Sequence, residues 1–294
     1  GEFPVIHLEK ARLAKKVTAN VPMTDNLPRI CSMYAGSEVN VVPGMAQITV
    51  EGLSAEALKA AADTVSSFTK ATYTVTEAED GSGLFLVTCK GSAAHASTPE
   101  IGNNALTAML ELIAALDLAV SPARDALLAL GKLFPHGETR GETLGVAMKD
   151  EVSGELTISL DILHYDGAVL TAQFDSRDPV CATDQNLTEV LRTVFAEHGL
   201  TMEEGSLKPA HYVPADSPFI QLLLESYERY FGVRGEPLAI GGGTYVHELQ
   251  RGVAFGCMTD DIDNHMHGDD EFMTLDQLLT SAKIFADVIV KLCC

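Results

Sequence analysis

The chain has 294 residues, a length typical of two domains, and its 46% hydrophobic content is enough for a sizeable core. A formal net charge of −21 argues against nucleic-acid binding, which uses clustered basic side chains. No apolar run approaches the roughly 20 residues of a membrane span, so no membrane association is expected. Six scattered cysteines without a CxxC pair predict reduced thiols and a cytoplasmic protein.

The first predicted strand covers residues 2–8, and the chain begins inside it without an initiator methionine. We therefore expect a piece of a longer protein. Alternating apolar residues predict the next strand at 45–50, and Ser54 is placed to cap a helix of period 3.6. Two more strands are predicted at 72–76 and 83–89.

A polar loop around His95 leads into an apolar helix, and Ser121-Pro122 is typical of the start of a second one, which runs through Leu133. Strands are then predicted at 156–163 and 167–175, and a helix capped by Asp184. The order strand, helix, strand occurs at 45–76 and again at 167–207. This weak repetition predicts one α+β domain made of two similar halves.

The character of the sequence changes after Lys208. A helix from Ser217 to Gly232 precedes the segment 238–272, which is predicted to form a strand, a glycine turn, a helix, a second strand and a polar loop. Thr274 and Gln277 are spaced as a capping box for the last helix. Its predicted inward face consists of Leu275, Leu278, Leu279, Ala282, Phe285 and Ile289. Strand 2–8 is expected to join the sheet of this last segment.

Three motifs have both a functional and a structural interpretation. The turn Gly241–Thr244 presents backbone amides before a predicted helix, which suits an anion, but glycine dihedrals alone could also explain it. His247-Glu248 is not a zincin motif, because HExxH requires histidine where Arg251 stands. Arg177, at the end of a strand, could clamp a carboxylate, or it could pair with Asp175 or Asp178.

Taken together, these motifs resemble a family of di-zinc metallopeptidases, the aminoacylase/carboxypeptidase/dipeptidase branch. The resemblance lies in KGSAAHASTPEIGNNA at 90–105, GGGTYVHELQRGVAFG at 241–256 and HGDDEF at 267–272. EFPVI at 2–6 and SEVNVVP at 37–43 point more narrowly to the PepV-like zinc dipeptidases of bacteria. The family fold is an α/β catalytic domain with an inserted lid, which in PepV-like members is a doubled α+β unit.

The resemblance implies a role for six residues. His267 corresponds to a ligand of one of two zinc ions, and His95 to the lid histidine that stabilises the oxyanion. Asn40 and Arg177 correspond to lid residues that hold the free carboxylate of the substrate. Gly242 and Gly243 correspond to the turn that lines the substrate pocket. The implied domains are a catalytic strand at 1–16, the lid at 17–207 and the C-terminal catalytic part at 208–294.

The sequence also departs from the family pattern. The HxD motif, the bridging aspartate, the Glu-Glu pair and the aspartate before the EFP strand have no counterpart, which leaves His267 alone among the expected ligands. His247 stands where the family has arginine. We therefore expect the lid and C-terminal part of a monomeric dipeptidase that hydrolyses small peptides with a free C-terminal carboxylate. Two zinc ions are expected in the full-length protein, and this chain alone is expected to be inactive. The alternatives are an N-acyl-amino-acid deacylase and a non-catalytic binding or oligomerisation module.

Overall fold

The computed structural model describes residues 1–79, 82–266 and 269–293, and these residues confirm the predicted α/β class. They form two compact units, each built from separate stretches of the chain. The terminal unit consists of Gly1–Ala11, Glu151–Ser153 and Pro209–Cys294. The central unit consists of Arg12–Asp150 and Gly154–Lys208.

The central unit combines strands and helices. Its strands are β2 (Ala11–Asn20), β3 (Arg29–Ala35), β4 (Val41–Val42), β5 (Met45–Glu51), β6 (Thr72–Glu77), β7 (Leu84–Lys90), β8 (Ala94–His95), β9 (Lys149–Asp150), β10 (Gly154–Glu155), β11 (Thr157–Tyr165), β12 (Val169–Asp178) and β13 (Thr201–Met202). Its α-helices are α1 (Ala55–Thr69), α2 (Ala105–Ala115), α3 (Pro122–Leu133) and α4 (Glu189–Glu197). A short 3-10 helix covers Pro99–Ile101, and a π-helical turn, Asp184–Thr188, precedes α4. Thr183, not Asp184, caps that turn, through its side chain and Asn186.

One eight-stranded sheet organises the central unit, in the order β13-β2-β12-β11-β3-β5-β7-β6. Two four-stranded halves meet where β11 pairs antiparallel with β3, with Leu163 opposite Ala35. The helices and the sheet share one apolar core that includes Leu58, Met109 and Phe174. Burial of this core stabilises the unit by roughly 25 cal/mol for each Å² of apolar surface removed from water.

Two strands of this sheet, β2 and β3, are absent from the sequence prediction. In β2, Leu13 and Val17 are buried, but the two lysines between them interrupt the apolar alternation. The predicted domain boundary after residue 16 falls inside β2. Because β2 is one continuous strand between β13 and β12, residues 12–16 belong to the central unit.

The terminal unit contains a three-stranded sheet and two helices. Its elements are β1 (Ile6–Glu9), β14 (His211–Tyr212), α5 (Pro218–Phe231), β15 (Leu238–Ile240), a 3-10 helix at Tyr245–Glu248 and α6 (Leu275–Cys293). β1 lies between β14, to which it is antiparallel, and β15, to which it is parallel. The core of the unit includes Phe3, Ile220 and Ile284. No helix among the described residues is long and apolar enough to cross a membrane.

The capping box of α6 forms, but the predicted inward face is wrong. The Gln277 amide donates to Thr274 Oγ1 over 3.1 Å, and the Thr274 amide donates to Gln277 Oε1 over 3.0 Å. Gln277 also exchanges two hydrogen bonds with the buried Asn264 side chain, at 2.9 and 3.0 Å. These polar contacts turn the Gln277 side of the helix inward. Leu275 and Ile289 are consequently 75% and 60% exposed, and Ser281, Ile284 and Val288 are buried.

Candidate functional site

Asn40 and His95 come together at one end of the small sheet formed by β4 and β8, with Asn40 in the turn directly before β4. Val41 pairs with His95, and the Ala96 amide donates to the Asn40 carbonyl over 2.9 Å. His95 is exposed, and its Nδ1 accepts a hydrogen bond from the Ser97 amide over 3.1 Å. Because Nδ1 acts as an acceptor, the ring proton is on Nε2. Nε2–H is the donor that a developing oxyanion requires.

Arg177 lies on β12, where it pairs with Thr157 of β11. The Thr157 hydroxyl is 3.5 Å from the Ser97 carbonyl, two residues beyond His95, so Arg177 belongs to the same region of the central unit. Its side chain is only 7% exposed, and Nε donates to Asp175 Oδ1 over 2.5 Å. Arg177 therefore forms the ion pair with Asp175 that was one of its two sequence-based interpretations. This contact orients the guanidinium.

Asp175 is the centre of a buried charged cluster. It is fully buried, and it also accepts hydrogen bonds from the Arg12 guanidinium, from Nε over 2.7 Å and from Nη2 over 2.5 Å. Asp161, on the neighbouring strand, is fully buried, and neither of its carboxyl oxygens makes a hydrogen bond to a described residue. Burial raises the pKa of Asp161 to about 8, and the charge of Asp175 acts in the same direction. The nearby Ser159 hydroxyl and the charges of Arg177 and Arg12 lower this pKa, but their effect is smaller than that of burial. Asp161 is therefore mostly uncharged at neutral pH.

In the terminal unit, the glycine turn follows β15. Gly242 and Gly243 do not adopt the left-handed φ that favours glycine. A Cβ on Gly242 would meet only Ile240 Cδ1 at 3.8 Å, and one on Gly243 only Glu9 Oε2 at 3.8 Å. The interpretation of this segment as a turn that needs glycine dihedrals is therefore wrong for these two positions.

At Thr244, the last residue of the same turn, the donors are not available to an external anion. The predicted helix is only a four-residue 3-10 helix, Tyr245–Glu248, too short for an appreciable dipole. The Thr244 amide already donates to the buried carboxylate of Glu9, over 2.9 Å to Oε1. The Thr244 hydroxyl also hydrogen bonds to Oε1. Glu9 thus occupies the place that an external anion would take.

His247 completes the contacts of Glu9. Its Nδ1 is 2.8 Å from Glu9 Oε2, and its Nε2 is 3.0 Å from the Pro209 carbonyl oxygen. The His211 ring lies 5.9 Å from the His247 ring, centre to centre, and its own Nε2 is 2.6 Å from the Gly252 carbonyl oxygen. Sequence reasoning identified the substitution at His247 but not its partner Glu9.

Asn264 and His265, at the start of the polar loop, have structural contacts. Asn264 is buried against Gln277, and the His265 ring packs edge-on to Phe272 at 5.6 Å. The predicted zinc ligand His267 lies outside the described residues. Within 1–79, 82–266 and 269–293, no three His, Cys, Asp or Glu side chains are grouped so that they could hold a metal ion. The described residues therefore do not fit a di-zinc centre.

Glu9, Asp161 and Asp175 are fully buried acidic residues. The sequence prediction names Asp175 only as an alternative ion-pair partner of Arg177, and it gives Glu9 and Asp161 no role. A weak signal exists for two of them. Asp161 interrupts the apolar run Leu156–Leu163, and Glu9 directly follows the apolar residues of β1. A charged residue within a buried strand must be paired or neutral.

Comparisons with known proteins agree with the sequence resemblance. Residues 77–201 match the M20 family model that is described as a peptidase dimerisation domain. The chain is 28% identical to putative dipeptidases of Staphylococcus epidermidis and Staphylococcus aureus, over 299 and 300 residues. These alignments cover 100% of this chain and 62% of each relative. The solved dipeptidase Dug1p of Saccharomyces cerevisiae is 8% identical with a TM-score of 0.44, over 97% of this chain and 55% of that one.

Proposed function

Because this chain carries an M20 peptidase dimerisation domain and is homologous to putative dipeptidases, we propose that it is part of a dipeptidase. The protein would hydrolyse dipeptides or short peptides that end in a free carboxylate. The chain spans 62% of the length of these relatives, so the activity proposed is that of the whole protein.

The observation that carries this proposal is that Asn40, directly before β4, lies next to His95 of the paired strand β8. His95 offers an Nε2–H donor for an oxyanion, and the Asn40 side chain offers an amide for a substrate carboxylate. Arg177 is linked to the same region through Thr157 and Ser97. Its guanidinium, oriented by Asp175, is suited to attract the carboxylate of a peptide.

The glycine turn supports the same proposal. Neither the backbone nor the space around Gly242 and Gly243 requires a residue without a Cβ. Close approach of a ligand to the backbone is another reason for glycine. We propose that the substrate main chain approaches these two residues.

The proposed dipeptidase also needs a metal centre. Because the described residues do not fit a zinc centre, we propose that the whole protein holds two zinc ions through ligands beyond them, with His267 as one. We also propose that the 294-residue chain alone does not hydrolyse dipeptides. Zinc-dependent hydrolysis by the purified chain would contradict this.

Peptide binding to the chain tests the proposed recognition directly. A dipeptide with a free carboxylate should cause saturable NMR shifts at Asn40 and His95, and its C-terminal amide should not. His95→Ala and Asn40→Ala should weaken these shifts, whereas His164→Ala, an exposed histidine of the same unit, should not. Equal binding of acid and amide would overturn the proposal. Tighter binding of N-acetyl amino acids than of dipeptides would favour a deacylase.

A second candidate function is an oligomerisation module, which the match of 77–201 to a dimerisation domain favours. We propose instead that the protein is monomeric, since the central sheet already joins two four-stranded halves within one chain. Sedimentation equilibrium discriminates the two. A concentration-independent monomer mass supports the proposal, and a dimer mass favours the module.

The cellular location is also a proposal. Cys31, Cys89, Cys181, Cys257 and Cys293 are free thiols in the structure. Free thiols persist in a reducing compartment, which supports a cytoplasmic protein.

A further inference from the structure

The hydrogen bonds of the buried Glu9 indicate which of its neighbours can compensate its negative charge. The Glu9 side chain is 1% exposed, and its described partners are the Thr244 amide, the Thr244 hydroxyl and the His247 ring. A buried carboxylate remains ionised only where hydrogen bonds and an opposite charge compensate its lost hydration. Of these partners, only His247 can be a cation.

The contacts of the two ring nitrogens of His247 also favour a cationic ring. Nδ1 faces a carboxylate oxygen and Nε2 faces the carbonyl oxygen of Pro209, and both of these atoms are acceptors. Beside an ionised Glu9, a neutral imidazole, which has one N–H, can satisfy only one of the two contacts. The doubly protonated ring donates to both. The site is therefore complementary to the imidazolium form.

The neighbouring charged and titratable groups fit this assignment. His211, on β14, directs Nε2 to the Gly252 carbonyl, a contact that the neutral ring with its proton on Nε2 satisfies. Two cationic rings 5.9 Å apart would repel each other, so one imidazolium beside one carboxylate is the favoured arrangement. Lys10 and Glu248 are the charged residues next to Glu9 and His247 in the chain.

We propose that Glu9 and the imidazolium of His247 form a charged positioning pair that fixes the turn Gly241–Thr244. Glu9 holds the turn through both donors of Thr244, and His247 anchors Glu9 to the backbone at Pro209. A role of the fixed turn in substrate binding rests on the proposed dipeptidase function. The charges of Glu9 and His247 and their effect on the turn do not.

Two NMR measurements on the 294-residue chain test the pair without any peptide. The first detects the ring N–H protons of His247, and two hydrogen-bonded signals are expected. A single signal would mean a neutral ring and would overturn the proposal. This measurement uses the wild-type chain, so it does not depend on how well a variant folds.

The second measurement is the hydrogen exchange of the Thr244 amide. Glu9→Gln and His247→Phe should each accelerate exchange roughly tenfold or more, since a hydrogen bond to a charged group is weakened. His247→Arg should retain the protection, because arginine supplies a cation at the same position. His198→Gln, which alters an exposed histidine of the central unit, is the matched control and should change nothing. Unchanged Thr244 exchange in Glu9→Gln would contradict the proposal, whether or not the chain binds dipeptides.

Discussion

Arg177 donates from Nε to Asp175 Oδ1 over 2.5 Å, from a position two residues further along the same strand. Residues i and i+2 of a strand point to the same face, so the contact requires no distortion of the sheet. Arg12 reaches the other oxygen of Asp175 from β2. One buried carboxylate thus orients two guanidinium groups, one of which is the predicted carboxylate-binding Arg177.

Asp175→Asn should therefore destabilise the central unit strongly. It removes the negative charge but leaves both arginines in place, and an uncompensated buried charge costs roughly 3–5 kcal/mol. Urea unfolding followed by circular dichroism measures the loss. Asp63→Asn, at an exposed position of α1, is the control and should change stability by less than about 0.5 kcal/mol. Equal midpoints for the two variants would mean that Asp175 is not a charged partner of the arginines.

Asp161 predicts an unusual dependence of stability on pH. Burial raises its pKa to about 8 in the native state, against about 3.9 for an unfolded aspartate. Between these values the native state binds the extra proton, so the contribution of Asp161 is complete below about pH 4. It is lost as the pH rises towards 8. The shift corresponds to at most on the order of 5 kcal/mol.

Asp161→Asn tests this prediction, because asparagine has a similar shape and does not titrate. The free energy of unfolding of the variant, relative to wild type, should increase between pH 5 and pH 8. Chemical unfolding at several pH values gives the two curves. Parallel curves for wild type and variant would show that Asp161 does not change its protonation in this range.

What the sequence could predict was mostly local. Ser54 and Ser121 cap α1 and α3 through their side chains. The periodic apolar residues after Ser54 and the proline after Ser121 predicted these two caps. The strands β2 and β3 were not predictable in this way, because each is buried beside a strand far along the chain, β12 for β2 and β11 for β3. The contacts of Glu9 with His247 and of Asp175 with Arg12 were not predictable either, since these partners are 238 and 163 residues away. Only the local contact of Asp175 with Arg177 was among the sequence-based alternatives.

In the last helix, α6, contacts that the sequence pattern does not reveal also decide which face is buried. This helix gives a third prediction. Its apolar residues predicted the wrong buried face, because contacts of Gln277 with Asn264 set the rotation of the helix. Ile284→Ala should cost about 2–5 kcal/mol, since Ile284 is fully buried. Leu278→Ala, at 53% exposure, should cost less than about 1 kcal/mol. Thermal unfolding compares the stability of the two variants. A larger loss of stability in Leu278→Ala would show that the face predicted from the sequence is the buried one.

The glycine turn gives the last prediction, which separates binding from stability. Gly243→Ala places a Cβ 3.8 Å from Glu9 Oε2 in an ordinary backbone conformation, so stability should change by less than about 0.5 kcal/mol. If the substrate main chain approaches this residue, the same methyl group should weaken dipeptide binding. Gly256→Ala is the matched contrast in the same unit, because Gly256 has a φ of +69° and its Cβ would collide with the Phe3 ring.

The contrast variant should lose more than about 1 kcal/mol of stability, as expected for alanine at a positive φ. Urea unfolding and NMR titration with a dipeptide, carried out on both variants, separate the two effects. A Gly243→Ala chain that unfolds early would show that the turn needs glycine for its own structure. A stable variant that binds the dipeptide as wild type does would show that the substrate stays away from this residue. Only normal stability combined with weakened binding supports the proposed pocket.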